Sequence, residues 1–142
     1  MFRRYELFSM QKIICSLILA GALTTTAVAQ APEIVGTYVN ESGRTKVRLS
    51  ECGAGVCGTV VWMKEPVNDV NNPDVSKRDR SVVGIQAVSL KPAGDGTYAG
   101  TLYDTESGKT YSGKAKFSGQ SVELSGCVLG GLVCKGSTWR RE

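Results

Sequence analysis

Short runs of alternating apolar and polar residues, separated by glycine-containing turns, are the feature that most restricts the fold. Residues Lys109–Ser118 are the clearest case, with Tyr111, Ala115 and Phe117 on one face and lysines on the other. A period of two residues is typical of a strand with one buried face. No stretch after residue 30 shows a convincing amphipathic helix. The pattern therefore predicts an all-β domain.

The spacing of the turns predicts about eight strands. We place them at residues 33–40, 44–50, 56–64, 81–90, 97–104, 109–118, 121–126 and 135–141, with a loop at 91–96. Short sequential turns favour a small antiparallel up-and-down β-barrel, because closing the sheet removes its exposed edges. An eight-stranded barrel has an interior that side chains fill or that holds one small ligand.

The first 29 residues are typical of a secretory signal peptide. Lys12 precedes an apolar run over residues 13–23, and residues 27–29 (Ala-Val-Ala) fit a small-x-small cleavage site. The run is shorter than the ~20 residues that span a bilayer. Met10 is an alternative start of the chain. We therefore expect a signal peptide at 1–29, a periplasmic or secreted product, and a single domain at 30–142 with no stable membrane span.

Charge and composition restrict the function. The net charge falls from +4 to +2 without the leader, which contains three basic residues and one acidic residue. A charge this small gives no reason to expect nucleic acid as a partner. The sequence has no histidine, so any catalysis would rest on carboxylates, Lys, Tyr or Ser. We expect a protein that binds rather than catalyses, without a cofactor.

Four cysteines follow the leader: Cys52, Cys57, Cys127 and Cys134. An even number in an exported chain indicates disulfides, and local spacing favours joining the first two and the last two. Gly130-Gly131 would form a two-residue hairpin turn that places the last two cysteines opposite each other. The alternative is a zinc site, but the gap in the second pair is longer than zinc motifs use and the compartment is oxidising. We therefore expect no bound metal.

Residues 69–84 interrupt the alternation with three Asp, two Asn, one Lys and two Arg around Pro73. The first interpretation is structural, with turn-forming Asn and Asp residues and Arg–Asp pairs that hold the segment across a barrel end. The second is an anion or sugar site with arginine donors. The candidate residues of this structural or ligand-binding loop are Asp69, Asn72, Asp74, Arg78 and Arg80.

Two further interpretations of this segment fit less well. Cation binding by Asp69, Asn71 and Asp74 departs from the EF-hand pattern, because Pro73 takes the third ligand position and Arg80 the twelfth. Catalysis by an Asp pair lacks any feature that would fix two carboxylates at glycosidase spacing. The outward basic residues of the strands are expected to be solvated, and Trp62 and Trp139 to lie in the core.

An ordered set of motifs spans the mature chain. It consists of Gly36-Thr37-Tyr38, Cys52-Gly53, Val56-Cys57-Gly58, Asp69, Asn72-Pro73, Arg78, Arg80, Gly84, Gly100, Tyr103-Asp104, Gly108-Lys109, Tyr111, Trp139 and Arg141. The set resembles the domain of unknown function 2147 family of small exported bacterial proteins. This resemblance implies a lipocalin-like barrel and no established activity. The second cysteine pair cannot be assigned to the family pattern.

The opening motif and the late arginine are also similar to the Gly-x-Trp and Arg of lipocalins, in which the aromatic residue closes one barrel end and the arginine packs over it. This similarity implies barrel-end packing by Tyr38, Trp139 and Arg141, with Arg140 as the alternative arginine.

We therefore expect a barrel that binds a small ligand or a cell-envelope component. One alternative is a protein-interaction module such as a protease inhibitor, and another is a carboxylate-dependent enzyme acting on cell-wall sugars. A hollow interior lined by Tyr98, Tyr111 and Phe117 would favour ligand binding. A filled interior with a projecting ordered loop would favour protein contact, and a pocket with two desolvated carboxylates would favour the enzyme.

Overall fold

Eight antiparallel strands follow one another around a closed barrel in the computed structural model, which describes residues 33–142. The strands are β1 (Gly36–Val39), β2 (Thr45–Cys52), β3 (Gly55–Met63), β4 (Gln86–Gly94), β5 (Thr97–Asp104), β6 (Lys109–Ser118), β7 (Ser121–Val128) and β8 (Val133–Arg141). This architecture confirms the predicted all-β, up-and-down barrel. The predicted signal peptide, residues 1–29, lies outside the described residues. Within residues 33–142, no helix has the length and apolar character needed to cross a membrane.

Buried side chains fill the interior of the barrel. Glycines at inward positions do not leave space, because neighbouring side chains occupy it. A Cβ atom on Gly58 would lie 2.8 Å from Leu49 Cδ2, and one on Gly113 would lie 2.6 Å from Leu102 Cγ. The ring of Phe117 packs edge-on against Tyr98, with centroids 5.3 Å apart. The interior is therefore a packed core, not the hollow that would favour an enclosed ligand.

The boundaries of the fourth strand were predicted wrongly. Residues 81–85 lie outside β4, and the predicted loop at 91–96 is mostly strand that pairs with β5. Val82 and Ile85 are buried as anchors of the β3–β4 connection, which explains the strand-like pattern. Only Asp95 and Gly96 turn the chain, and both have positive φ (52° and 71°), as two-residue hairpin turns require.

Both disulfides form with the predicted pairing. Cys127 and Cys134 lie opposite each other in β7 and β8. The Gly130-Gly131 turn between them has positive φ at both glycines, as predicted. The expectation that Trp62 lies in the core is wrong. Its ring is on the outer face, 41% exposed, with the Lys46 ammonium 5.3 Å from the ring centre.

The two ends of the barrel carry different structures. The end with the β1–β2, β3–β4, β5–β6 and β7–β8 connections is here called the loop end. The opposite, closing end carries residues 33–35, the remaining connections and the C-terminus. At this end β1 and β8 join through only two residue pairs, Tyr38 with Arg141 and Val39 with Arg140.

Candidate functional site

Two of the predicted loop residues, Asn72 and Arg80, meet around the carboxylate of a third, Asp69, which has 0% exposure. Its Oδ1 accepts a hydrogen bond from the Tyr103 hydroxyl (2.6 Å). Its Oδ2 accepts bonds from Asn72 Nδ2 (2.7 Å) and from Nε and Nη2 of Arg80 (3.1 and 2.9 Å). We call these four residues the Asp69 hub.

The hub favours the ionised form of Asp69. Burial alone would raise the pKa of this carboxyl, but hydrogen bonds from Tyr103, Asn72 and Arg80, together with the charge of Arg80, hold the pKa below its usual value. The pKa of Tyr103 is raised by burial and by its bond to the Asp69 carboxylate. The hub therefore contains a carboxylate and a neutral phenol at neutral pH.

Local turn chemistry shapes the tip of the β3–β4 connection. Asn72 Oδ1 accepts a bond from the backbone N–H of Asp74 (2.8 Å), as expected for an Asx turn. Asp74 in turn caps a 3₁₀ turn at Val75–Lys77, because its Oδ1 accepts bonds from the N–H and the hydroxyl of Ser76. These bonds lower the pKa of Asp74. Arg78 Nε closes the tip by donating to the backbone oxygen of Asn72 (2.8 Å).

The connection is also held against the neighbouring β5–β6 turn. Asn71 Nδ2 donates to the backbone oxygen of Glu106 (2.7 Å). Gly108 in this turn has φ of +69°, and a Cβ atom there would lie 1.7 Å from the backbone oxygen of Asn71. Any larger residue at position 108 would both strain its backbone and push the connection away.

The contacts of the hub restrict its chemistry. Arg80 donates to Asp69 and Arg78 donates to a backbone carbonyl, so part of each guanidinium group is occupied by a bond within the connection. Among residues 33–142, Asp69 is the one buried carboxylate, and no group of three acids or cysteines is placed to hold a metal. The hub can thus hold the connection against the barrel.

The predicted packing residues meet at the closing end. The buried Tyr38 hydroxyl donates to the backbone oxygen of Ile34 (3.1 Å). Arg141 donates to the backbone oxygens of Glu33 and Val35 and pairs with the Glu33 carboxylate (3.1 Å). Trp139 packs against the core. The arginine at this end is Arg141, which lies on the backbone of the N-terminal segment.

The outer face of β5, β6 and β7 forms an open groove of about 420 Å³. Lys114 and Lys116 lie two residues apart on β6 and therefore share this face. Lys114 is paired with Ala99 on β5 and with Ser125 on β7, so small residues flank it on both sides. Glu123, opposite Lys116, is the one acidic residue of the lining.

Comparisons with known proteins establish the family. The profile described as "Uncharacterized protein conserved in bacteria (DUF2147)" matches residues 36–141. The chain belongs to this family. No curated protein matches the sequence significantly.

A solved structure shares the barrel fold. The DUF2147 chain is similar to protein HP1028 from the human pathogen Helicobacter pylori, which is described as belonging to the lipocalin family. The two are 22% identical, with a TM-score of 0.66, and the match covers 78% of this chain and 84% of that chain. At this identity the similarity shows a lipocalin-like fold.

Sequence reasoning found the hub residues on the β3–β4 connection of this DUF2147 protein but did not assign Tyr103 to them. Tyr103 lies 34 positions from Asp69, so no local pattern links the two. Sequence reasoning also treated Lys114 and Lys116 as an ordinary solvated face. The available signal was their alternation beside the small residues Thr97 and Ala99, which share the outward face of β5 and pair with Lys116 and Lys114.

Proposed function

We propose that this DUF2147 protein is an exported binding domain that holds a small anionic ligand, or an anionic group of a cell-envelope component, in its outer groove. The observation that carries the proposal is the concave face around Lys114 and Lys116. The packed interior favours a ligand on the surface rather than one enclosed in the barrel.

The charges of the groove support an anionic ligand. Among the described residues, neither Lys114 nor Lys116 lies within ion-pair distance of a carboxylate. Lys91 extends the basic row, because it pairs with Ala99, which in turn pairs with Lys114. Ammonium groups that lack an acidic partner keep their donors available for phosphate or carboxylate oxygens.

Export is the second part of the proposal. Two disulfides persist most readily in an oxidising compartment, and the leader has the composition of a signal peptide. In this proposal the Asp69 hub is a clasp that keeps the barrel rigid. The groove contains a single carboxylate, Glu123, so it supplies no carboxylate pair for glycoside hydrolysis.

Binding of N-acetylglucosamine 1-phosphate, followed by NMR, tests the groove. We expect shifts at residues 97–99, 114–116 and 123–125, with weaker shifts for uncharged N-acetylglucosamine. The variant Lys114→Gln/Lys116→Gln should bind about tenfold more weakly, since two charge-assisted contacts are lost. The variant Arg48→Gln/Lys64→Gln removes the same charge elsewhere and should bind normally. Equal weakening in both variants would mean non-specific attraction and reject the site. Native mass spectrometry of the exported protein can then identify its natural ligand.

The β3–β4 connection supports a second candidate, a protein-interaction role. Its hub fixes a loop that exposes Val67, Val70 and Val75, and a filled interior with an ordered loop is the arrangement that favours protein contact. In a crosslinking pull-down from the extracytoplasmic fraction, Val70→Ser/Val75→Ser should lose a partner that the groove variant retains. Recovery of the same partners with both variants would reject this candidate.

A further inference from the structure

The β7–β8 connection exposes four aliphatic side chains at the loop end. Leu129 and Leu132 are 72% and 86% exposed, and Val128 and Val133 are 41% and 55% exposed. We call residues 128–133 the apolar tip. Single exposed aliphatic residues are ordinary on protein surfaces, but a contiguous group of this kind marks a contact surface.

The apolar tip is held in one shape. The disulfide between Cys127 and Cys134 closes it at the base, and Leu132 N–H donates to the Leu129 backbone oxygen (3.3 Å) across the turn. Leu129 has a φ of +53°, a conformation that favours glycine. Leu129 thus places a large apolar side chain at a position whose left-handed backbone conformation favours glycine.

The hairpin that carries the tip has little support on one side. β8 pairs with β1 only through Arg140 and Arg141, so residues 133–139 of β8 extend past the end of β1. On its β1 side the hairpin that carries the apolar tip is therefore without a strand partner.

Two lysines lie at the loop end near the tip. Lys135 follows Cys134 directly, and Lys109 begins β6 beside the adjoining β5–β6 turn, opposite Asp104 in the strand register. Among the described residues, neither lysine is within ion-pair distance of a carboxylate. The adjoining β5–β6 turn carries Asp104 and Glu106, and Asp104 accepts bonds from within its own turn. Aliphatic residues with flanking lysines complement an anionic lipid surface.

A second copy of the chain is the competing occupant. A stable protein interface uses about 20–30 residues a side, whereas the apolar tip offers four aliphatic side chains. The size of the tip therefore favours lipid over self-association.

We propose that the apolar tip docks this domain on anionic membranes, with Leu129 and Leu132 inserted among the lipid chains and with Lys109 and Lys135 at the headgroup phosphates. The tip lies away from the groove lysines of β6, and the proposal does not depend on the ligand of the groove. In this proposal the domain stays at the membrane surface and is attached there by these four side chains.

Flotation with vesicles tests the docking. The processed protein, as recovered from expressing cells, should bind vesicles of phosphatidylethanolamine and phosphatidylglycerol more tightly than vesicles of phosphatidylcholine. Leu129→Ser/Leu132→Ser should weaken binding at least tenfold, because burying one leucine is worth about a decade or more in affinity. Lys109→Gln/Lys135→Gln should weaken binding to the anionic vesicles only, by about fivefold per lysine.

Control variants separate docking from misfolding and from general stickiness. Val61→Ser removes an exposed aliphatic residue from β3 and should bind like the unmodified protein. Leu132→Trp keeps the tip apolar, and its fluorescence should shift to the blue and be quenched by brominated lipid. Unchanged binding of the double leucine variant, or no quenching, would overturn the proposal. So would sedimentation showing that the tip leucines hold a dimer together.

Discussion

Two connections at the loop end of the barrel distribute polar and apolar groups in opposite ways. The β3–β4 connection buries a carboxylate, Asp69, under other polar residues. The β7–β8 connection holds Leu129 and Leu132 out in solvent. Each reverses what hydrophobicity alone would predict for its most distinctive residue.

The difference lies in where the partners of these residues are. Every oxygen of the Asp69 carboxylate is bonded to a side chain of the same barrel, and a buried charge is tolerated only with such partners. The two leucines have most of their surface in water, so burying them requires something outside the molecule. In this protein the polar cluster, the Asp69 hub, is therefore structural, whereas the apolar residues of the tip are available for contact with another molecule.

Removal of the hub carboxylate should have the largest effect on stability. Asp69→Ala leaves Tyr103, Asn72 and Arg80 without their shared acceptor. We expect a loss of about 3–5 kcal/mol in the free energy of unfolding, towards the lower value because Arg80 is 41% exposed and regains water. Urea denaturation measures this. Asp79→Ala, an exposed acid of the same connection, is the matched control and should change stability by less than ~0.5 kcal/mol. If both variants lowered the free energy of unfolding equally, the buried carboxylate would not be what stabilises the β3–β4 connection, and its contrast with the β7–β8 connection would fail.

The two arginines should differ although they stand two residues apart. Arg80→Ala leaves the Asp69 charge buried with two neutral donors, and we expect a cost of about 2–3 kcal/mol. Arg78→Ala removes one side-chain bond to a backbone carbonyl and should cost about 1 kcal/mol. Thermal denaturation of both variants gives the order. If Arg78→Ala were the more destabilising, the 3₁₀ tip rather than Asp69 would hold the connection.

Strand periodicity predicted most of the barrel, because a strand that is buried on one face has an apolar residue at every second position. The prediction was wrong at residues 81–85. Val82 and Ile85 are buried there although they belong to a loop and not to a strand. The sequence also indicated that aspartates and arginines of the connection would form pairs, but it did not identify Asp69 and Arg80 as the pair that forms. Asp69 also accepts a bond from Tyr103 on β5, which lies 34 residues away in the sequence and comes within 2.6 Å only in the folded sheet. The groove is lined by residues of three neighbouring strands, β5, β6 and β7. A sequence pattern within one strand does not show which residues of the other strands lie beside it.

Acid should reveal the charge of the hub. The pKa of Asp69 is lower in the folded protein than in the unfolded chain, so its contribution is fully present above the usual aspartate range, about 4. That contribution is lost as the pH falls through the folded pKa. Asp69→Asn should therefore be less stable than the unmodified protein at neutral pH, with the difference shrinking below about pH 4. Unfolding by urea at a series of pH values measures the gap. A gap that does not change with pH would mean that the pKa of Asp69 is the same in the folded and the unfolded protein.

The apolar tip should show the smallest effect on folding. Leu132→Ser replaces a side chain that is 86% exposed, so the folded barrel loses almost no buried apolar area. We expect the free energy of unfolding to change by less than ~0.5 kcal/mol in urea denaturation. A loss above ~1 kcal/mol would show that the leucine packs against the barrel in solution, and the contrast with Asp69 would fail. An unchanged stability with lower affinity for anionic vesicles would instead show that this leucine contributes to binding and not to folding.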